Sequence, residues 1–211
     1  MITKEELGKF VSSRSWYQSI QFEDDVRSTG CLWCGDPAWS NMVKFLPESL
    51  EGMRILDLGC NAGLFCVRSV LMGAKEAVGI DYVGWRPKWD FEEQQVFVKE
   101  YFEQKAGRNL PITYVSGKME EILPKKDLGR FDYTYGIASL YYTEDPDGTV
   151  KAISEISDKA IIRLRDANRI SQFTKMFEKY GYKQEEVLRE KWWEKLNRQT
   201  DDFYLYLFVK D

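Results

Sequence analysis

The chain has 211 residues, 44% of them hydrophobic and 15% aromatic, and its formal net charge is −4. A chain of this length predicts one domain with a full hydrophobic core, and its negative charge provides no overall attraction to nucleic acid or to an anionic membrane. It contains no histidine, which excludes a histidine general base, a histidine-ligated metal and a Ser-His-Asp triad.

The first fifty residues precede the predicted core. Residues 3–6 have the capping-box pattern, which predicts a short helix through Val11. Residues 37–46 are compatible with a second helix. We expect residues 1–50 to form a helical cap or lid over the site, or else an extra packing layer, and residues 51–211 to form the main domain of one compact unit.

Residues 54–81 predict a βαβ unit. The apolar run Arg54–Leu58 has the character of a strand, and a glycine-containing turn follows at 59–63. From Leu64 the apolar residues recur at steps of three and four, which predicts a helix with one buried face. Residues 76–81 then predict a second strand. The turn after the first strand of such a unit is where a nucleoside binds.

The residue types in this unit fit that role. Gly59 and Gly63 can adopt positive φ and let a ligand approach the backbone, and Asn61 is among the few other residues that tolerate this conformation. The N–H groups at the helix start, near Gly63 and Leu64, suit a carboxylate. Asp81 can accept hydrogen bonds from both hydroxyls of a ribose. The alternative is an ordinary strand–helix pair with an incidental acid.

A family resemblance is carried by two segments, Asp57-Leu58-Gly59-Cys60-Asn61-Ala62-Gly63 and Gly79-Ile80-Asp81. They resemble the first two motifs of class I S-adenosylmethionine (SAM) methyltransferases. The resemblance implies a SAM site, with S-adenosylhomocysteine (SAH) as product, in which the turn surrounds the methionine part and Asp81 holds the ribose. The expected cofactor-binding residues in this part of the chain are Asp57, Gly59, Cys60, Asn61, Gly63, Leu64, Asp81 and Tyr82. NAD is the rival ligand, and Asp57 and Asn61 favour SAM.

A second resemblance is carried by Trp16-Tyr17 with Ile20, by a segment rich in glycine and tryptophan, and by Leu50-Glu51-Gly52-Met53-Arg54-Ile55-Leu56-Asp57. Over roughly residues 15–165 the chain resembles methyltransferases related to the tRNA wobble-uridine carboxymethyltransferase. That family uses a carboxylated SAM, and its cationic residues for the extra carboxylate have no match here. The resemblance therefore does not carry that reaction over to this chain.

The segments after Asp81 supply further cofactor candidates. A loop at 82–91 combines aromatic and basic side chains that could stack on adenine, a sugar or a base, or simply pack under the loop: Trp85, Arg86, Lys88 and Trp89. A helix at 92–105 is expected to turn four side chains inward: Val96, Phe97, Tyr101 and Phe102.

Strands are predicted at 112–115 and 131–136. In the family the loop after the first of these contacts adenine through an acidic side chain, and Lys118 stands at that place here. Met119 is expected on the adenine face, unless it is a core residue. Glu120 is expected as a partner of the adenine amino group, unless it is a solvated helix start. Gly136, at the end of the later strand, completes the cofactor-binding candidates.

The loop after the strand at 131–136 lies beside the methyl group in this family. Tyr142 occupies a place where relatives often have histidine, and it is expected to shape the acceptor pocket. Glu144 is a candidate general base. Glu144 and Asp145 are alternatively caps of a helix that begins near Pro146.

The strand predicted at 159–164 contains charged residues, whereas a central strand buried on both faces is usually almost entirely apolar. Arg163 and Arg165 share one face by alternation, and Asp166 follows them. A buried guanidinium needs a carboxylate or phosphate partner. We expect Arg163 or Arg165 to belong to the acceptor half of the site, with Arg165 as the site candidate. The cation would bind the acceptor or hold Asp166 ionised as the base, whereas the alternative is a salt bridge to the acidic N-terminal segment.

The remaining features are structural. The four cysteines are Cys31, Cys34, Cys60 and Cys66, and buried or incidental thiols are expected rather than a metal site or a redox pair. Strands at 182–189 and 202–209 are expected to end the fold as an antiparallel pair. Their connection, with Trp192 and Trp193, could close one side of the acceptor site.

Together these patterns predict an α/β fold with a Rossmann-like, seven-stranded, mostly parallel sheet. The predicted function is O-methylation of a sugar, a glycan or a small polar metabolite. A tRNA-modifying enzyme and a non-catalytic SAM-binding subunit are the alternatives, and nucleic acid is the less favoured partner. The absence of a long apolar stretch or a signal peptide predicts a cytoplasmic protein without a membrane segment.

Overall fold

A computed structural model describes residues 1–31, 34–82, 90–193 and 200–210. The strands are β1 (Gln21–Glu23), β2 (Val26–Arg27), β3 (Arg54–Leu58), β4 (Glu76–Asp81), β5 (Ile112–Ser116), β6 (Tyr133–Ile137), β7 (Lys159–Arg165), β8 (Tyr182–Trp193) and β9 (Thr200–Lys210). The α-helices are α1 (Lys4–Ser12), α2 (Asp36–Met42), α3 (Leu64–Leu71), α4 (Phe91–Ala106), α5 (Met119–Ile122), α6 (Pro146–Ile156) and α7 (Ala167–Lys179). None of the described helices is both long enough and apolar enough to cross a membrane.

The main sheet has seven strands in the order β5-β4-β3-β6-β7-β9-β8. Strands β3 to β7 pair in parallel, and β9 is antiparallel to both β7 and β8. This topology confirms the predicted Rossmann-like fold with its antiparallel C-terminal pair. The sheet order reverses between β3 and β6, and ligands of open α/β sheets bind at the carboxyl edge near such a reversal.

Two hydrophobic cores cover the two faces of the sheet. Successive residues of β3 belong to different cores, with Ile55 in the first and Leu56 in the second. The first core is closed by α1 to α4, and the second by α6 and α7. Burial on both faces explains the apolar runs Ile55-Leu56 in β3 and Ala160-Ile161-Ile162 in β7, whereas Asp57 and Arg163 are buried charged residues of the same strands.

The N-terminal segment shares the first core with the sheet. Its helix α1 begins with the predicted capping box, since Glu6 N–H donates to Thr3 Oγ1 (3.2 Å) and Thr3 N–H donates to Glu6 Oε2 (2.8 Å). Asp36 in α2 accepts two hydrogen bonds from Arg68 of α3, at 3.0 and 2.7 Å. The segment also contains the small β1–β2 sheet, so it is a packed layer of helices and strands.

The interior of α4 differs from the prediction. Val96 is 54% exposed, so its inward placement was wrong. Gln94 and Gln95 are buried instead, and their amide groups donate to the backbone carbonyls of Ser15 (2.9 Å) and Asn61 (2.7 Å). These two glutamines can be buried because their amide groups have backbone partners. The buried face of α4 therefore includes them and excludes Val96, which the apolar residues alone did not predict.

The C-terminal strands are longer than predicted. Trp192 and Trp193 pair through their backbone with Asp201 and Thr200, so they belong to β8 and not to the connection. The connection itself, at 194–199, lies outside the described residues. The same holds for the predicted aromatic and basic loop with Trp85, Arg86, Lys88 and Trp89.

Candidate functional site

A cavity of about 330 Å³ opens at the carboxyl edge of the parallel strands. Its wall is made by Tyr17, Gly59, Asn61, Ile80, Asp81, Tyr82, Gly117, Lys118, Met119, Glu120, Ile137, Ala138, Ser139, Tyr142, Thr143 and Glu144. These residues come from the N-terminal segment, from the carboxyl ends of β4 and β6, from the connections after β3, β4, β5 and β6, and from the start of α5. A mostly apolar cavity of this size with convergent polar groups is typical of a small-molecule site.

The turn after β3 depends on glycine at Gly59. Its φ is +76°, and a Cβ there would lie 2.4 Å from the Cβ of Ser139. The Ser139 hydroxyl donates to the carbonyl of Leu58, so the turn and the loop after β6 touch directly. A side chain at position 59 would push these two loops apart.

Asp81 holds this turn and faces the cavity. Its two carboxylate oxygens accept hydrogen bonds from the N–H groups of Asn61 and Tyr82, each at 2.7 Å. Burial raises the pKa of Asp81, and these two hydrogen bonds act against that rise. Each carboxylate oxygen has more than one acceptor position, so Asp81 can also accept from the hydroxyls of a ribose.

Asn61 supplies a test of whether SAM fits. Its backbone is in the left-handed region, with φ +52°, and Gln95 fixes its carbonyl. Within the described residues its buried side-chain oxygen, Oδ1, has no hydrogen-bond partner. A buried amide oxygen without a partner is costly, and a cationic donor such as the amino group of SAM would satisfy it. The donor set therefore fits the cofactor.

Two N–H groups at the start of α3, where a carboxylate was predicted, have partners within the chain. Gly63 N–H donates to the carbonyl of Cys60 (2.8 Å), and Leu64 N–H faces Gln18 Oε1 at 3.5 Å. Leu64 and Gln18 are both buried. The N-terminal segment brings Gln18 to this helix end, which the βαβ unit by itself could not indicate.

Several cofactor candidates lie beneath the cavity wall and not in it: Asp57, Cys60, Gly63, Leu64 and Gly136. Burial raises the pKa of Asp57 to about 8, and the charge of Asp81 adds to this. The Cys66 thiol donates to Asp57 at 3.8 Å. These residues support the turn without lining the cavity. Seven other residues that were predicted to bind the cofactor do line it: Gly59, Asn61, Asp81, Tyr82, Lys118, Met119 and Glu120.

Lys118 and Glu144 join the loops after β5 and β6. Lys118 Nζ donates to Glu144 Oε1 at 2.6 Å, and Glu144 N–H donates to Glu120 Oε1 at 3.1 Å. The hydrogen bond to Glu144 raises the pKa of Lys118. Glu144 is thus a carboxylate of the wall, and the cap of α6 is Asp145 alone, which accepts from Gly148 N–H at 2.9 Å.

The loop after β6 has an unusual backbone. Ala138 adopts φ +59°, a region that non-glycine residues rarely enter and that is often found at functional sites. Tyr142 is 45% exposed, and its ring lies 4.6 Å from that of Tyr141 at a tilted angle. This loop therefore presents aromatic side chains at the mouth of the cavity.

Asp166 is placed differently from the prediction. It is exposed and lies outside the cavity wall, and its Oδ1 accepts from Asn168 N–H at 2.8 Å as the cap of α7. The backbone of Asp166 has φ +77°, so the chain turns at the end of β7 and directs this residue to the helix. Its carboxylate is a capping group in this structure.

Arg163 is buried in an ion pair with the C-terminal strands. Its Nε donates to Glu190 Oε2 at 2.6 Å, and Asn41 Nδ2 donates to Glu190 Oε1 at 2.7 Å. The partner is therefore neither an acceptor nor the acidic N-terminal segment. Antiparallel pairing with β9 brings β8 close enough to supply Glu190. Arg165, two residues on, is exposed and lies outside the wall.

Tyr17 was not assigned a role by the sequence. It belongs to the N-terminal segment and yet lines the cavity, and burial raises its pKa well above the ordinary range. Burial likewise raises the pKa of the neighbouring Cys34 to about 12. No periodic signal marks Tyr17, because its place depends on how the segment packs on the sheet.

All four cysteines are free thiols. Within the residues that the structure describes, no group of three or more Cys, Asp or Glu side chains is arranged to hold a metal ion.

Comparison with known proteins identifies the family. A family profile described as a methyltransferase domain matches residues 35–200. The tRNA U34 carboxymethyltransferase of Alcanivorax borkumensis is 34% identical over 114 residues, which cover 54% of this chain and 31% of that protein. The chain thus matches about a third of the length of such curated relatives.

Solved structures share the fold. A candidate RNA methyltransferase from Pyrococcus horikoshii superposes with a TM-score of 0.61 at 18% identity, covering 100% of this chain and 99% of that chain. The magnesium protoporphyrin IX methyltransferase of Synechocystis, solved with bound SAH, has a TM-score of 0.57 at 15% identity, covering 83% and 81%. The family profile spans most of the chain, and the cavity has the polar groups that SAM requires. The protein therefore belongs to the class I SAM-dependent methyltransferase family.

Proposed function

We propose that this protein methylates a hydroxyl group of a small polar acceptor, such as a sugar or a glycan. When bound, SAM supplies an electrophilic methyl group. Gly59, Asn61 and Asp81 would hold SAM, while the rest of the wall orients the acceptor. The observation that supports a hydroxyl-bearing acceptor is the set of hydroxyl side chains elsewhere in the wall: Tyr17, Ser139, Tyr142 and Thr143.

Two of these residues, the tyrosines, are the better candidates for acceptor contacts because of their ring size. Tyr17 and Tyr142 both line the cavity, the first from the N-terminal segment and the second from the loop after β6. Tyrosines combine a flat apolar ring with a polar tip, which suits a sugar.

Glu144 is the carboxylate that we assign as general base. It lies in the wall and on the same loop as Tyr142, whereas Asp166 lies outside the wall and caps a helix. The base would accept the proton from the acceptor oxygen as that oxygen forms its bond to the methyl carbon. The bond between the methyl carbon and the sulfonium sulfur would break in the same step, with SAH as the leaving group. Such a base contributes about 100- to 10,000-fold to the rate, and positioning supplies much of the remainder.

A tRNA acceptor is the second candidate. It is favoured by the similarity to the Alcanivorax enzyme over 114 residues. It is opposed by the charge of the described wall, which contains three carboxylates, Asp81, Glu120 and Glu144, against the single cation Lys118. An anionic wall repels phosphates, and for this reason we place the small acceptor first.

The acceptor class can be tested by transfer of a tritiated methyl group from SAM. Glycans, nucleotide sugars and tRNA are offered separately, and calorimetry measures SAM and NAD binding in parallel. Label in a sugar supports the proposal, and label in tRNA alone supports the second candidate. SAM binding without transfer to any acceptor class would favour a non-catalytic subunit, and preference for NAD would overturn the cofactor assignment.

The role of Glu144 can be tested with a matched variant. Glu144→Gln should lower turnover by about 100-fold or more and leave SAM affinity nearly unchanged. Glu121→Gln is the control, because Glu121 is an exposed acid of helix α5 that lies outside the cavity wall. Equal turnover of Glu144→Gln and the control would remove Glu144 as base.

A further inference from the structure

We propose that Lys118 positions Glu144 for its role as general base, by binding one of the two carboxylate oxygens and leaving the other for the acceptor. This inference rests on the proposed methyl transfer and adds a residue that acts through the base. Its basis is the set of contacts that Lys118 makes with other residues of the cavity wall.

Lys118 connects the segments that follow β4, β5 and β6. Its Nζ donates to Glu144 Oε1 at 2.6 Å, and the same nitrogen lies 5.8 Å from the centre of the Tyr82 ring. All three residues line the cavity. A cation within about 6 Å of an aromatic ring is attracted to the ring face, so Tyr82 and Glu144 together fix the position of the ammonium group.

The backbone of Glu144 is fixed independently of its side chain. Its N–H donates to Glu120 Oε1 at 3.1 Å, and the next residue, Asp145, is the cap of α6. These contacts fix the peptide at this point of the wall. The position of the carboxylate then depends on the side-chain contact with Lys118.

The side chain of Glu144 needs such a contact because it is 75% exposed, and an exposed side chain can occupy several rotamers. Its Oε1 accepts from Lys118, and no hydrogen bond within the described part of the chain engages its Oε2. The acceptor proton would therefore go to Oε2, as the acceptor oxygen bonds to the methyl carbon and the bond from that carbon to sulfur breaks.

Two other carboxylates lie near Lys118 and have to be weighed. The hydrogen bond to Glu144 is the largest cause of the raised pKa of Lys118, and the charges of Glu121 and Glu120 add smaller contributions. Glu120 accepts from the N–H of Glu144, and Glu121 is exposed and lies outside the cavity wall. Lys118 therefore acts mainly on the carboxylate that we assign as base.

The contribution of this ion pair is to geometry and not to stability. Exposed ion pairs stabilise a fold very little, whereas a displacement of about 1 Å at a reacting group can lower a rate about 100-fold. Loss of Lys118 should therefore lower kcat at least about tenfold and leave Tm and SAM affinity nearly unchanged.

The first measurement needs no acceptor. Lysine side chains are isotope-labelled, and the pKa of Lys118 is followed by NMR titration. Glu144→Gln should lower this pKa because it removes the charged partner of the ammonium group, and Glu121→Gln should lower it less. A Lys118 pKa that is the same in Glu144→Gln as in the wild type would overturn the inference.

The second measurement compares methyl transfer by single variants. Lys118→Met should lower kcat and leave the acceptor KM unchanged, whereas Lys118→Arg, which keeps a charged donor, should retain most of the rate. Lys179→Met is the matched control with full activity, because Lys179 forms an exposed ion pair with Asp147 outside the cavity wall. Loss of SAM affinity in Lys118→Met would make Lys118 a cofactor ligand and contradict the positioning role.

A double variant separates this inference from the proposed function. Because Lys118 acts through Glu144, Lys118→Met with Glu144→Gln should be no slower than Glu144→Gln alone. A further loss in the double variant would refute the inference and leave the base assignment intact. Full activity of Glu144→Gln would contradict the base assignment and the positioning role together. If no acceptor class is methylated, the proposed function fails, and the titration still decides whether Lys118 engages Glu144.

Discussion

Glu190→Gln tests the buried ion pair most directly. The side chains of Arg163 and Glu190 are only 1% and 2% exposed, with Nε and Oε2 at 2.6 Å. The substitution keeps the shape of Glu190 and removes the carboxylate charge that faces the buried guanidinium. Loss of one partner of a buried pair costs about 3–5 kcal/mol. At about 2–4 °C per kcal/mol for a chain of this size, Tm should fall by about 6–20 °C.

Urea unfolding and thermal melting measure this loss. The double variant Arg163→Met with Glu190→Leu should recover most of the stability, because apolar residues of similar volume often replace a buried pair without loss. Asp158→Asn is the control, since it removes one partner of an exposed pair with Arg130, and exposed pairs contribute little. A loss below about 1 kcal/mol in Glu190→Gln, or a double variant as unstable as the single one, would refute the reasoning.

Three further predictions concern the turn and its surroundings. Asp81→Ala should weaken SAM binding at least about tenfold by calorimetry, because two hydrogen bonds to a charged acceptor are lost; unchanged affinity would contradict this. The pKa of Asp57 is raised to about 8 in the folded state, so the folded protein binds the proton of this carboxyl more tightly than the unfolded chain does. Protonated Asp57 therefore stabilises the fold fully below about pH 4, and this stabilisation is lost as pH rises through about 8. Asp57→Asn should therefore flatten the fall of the unfolding free energy across this range in urea titrations, and a curve parallel to that of the wild type would argue against it. Gly59→Ala should abolish SAM binding because its Cβ would meet Ser139 at 2.4 Å, whereas Gly52→Ala, which has the same φ of +76° and no atom within 4 Å, should cost only backbone strain; equal SAM affinity in the two variants would refute the steric argument.

The βαβ unit was predictable from local sequence. The strand, turn and helix at 54–71 follow from an apolar run, two glycines and a helical period, and the structure has them at β3 and α3. Asp81 was also predictable, because a residue at the carboxyl end of a strand must face the ligand edge. The wall of the cavity contains it as expected.

The acceptor side was predicted less well. Asp166 was expected as a base, and it caps α7 because the chain turns sharply after β7. The helix start at Leu64 was expected to be open, and Gln18 from the N-terminal segment lies against it. Both differences arise from contacts between segments far apart in the sequence, which a local pattern does not record.

The sequence by itself determined the order of strands and helices, the nucleoside-type turn and the family, because these depend on periodicity and on the conformational freedom of a few residues. Only the tertiary structure decided the partner of Arg163. The burial of its charge requires a carboxylate, and Glu190 is 27 residues away in the chain and reaches it through the pairing of β8 with β9. The place of Tyr17 in the cavity wall was decided in the same way, by the packing of the N-terminal segment on the edge of the sheet.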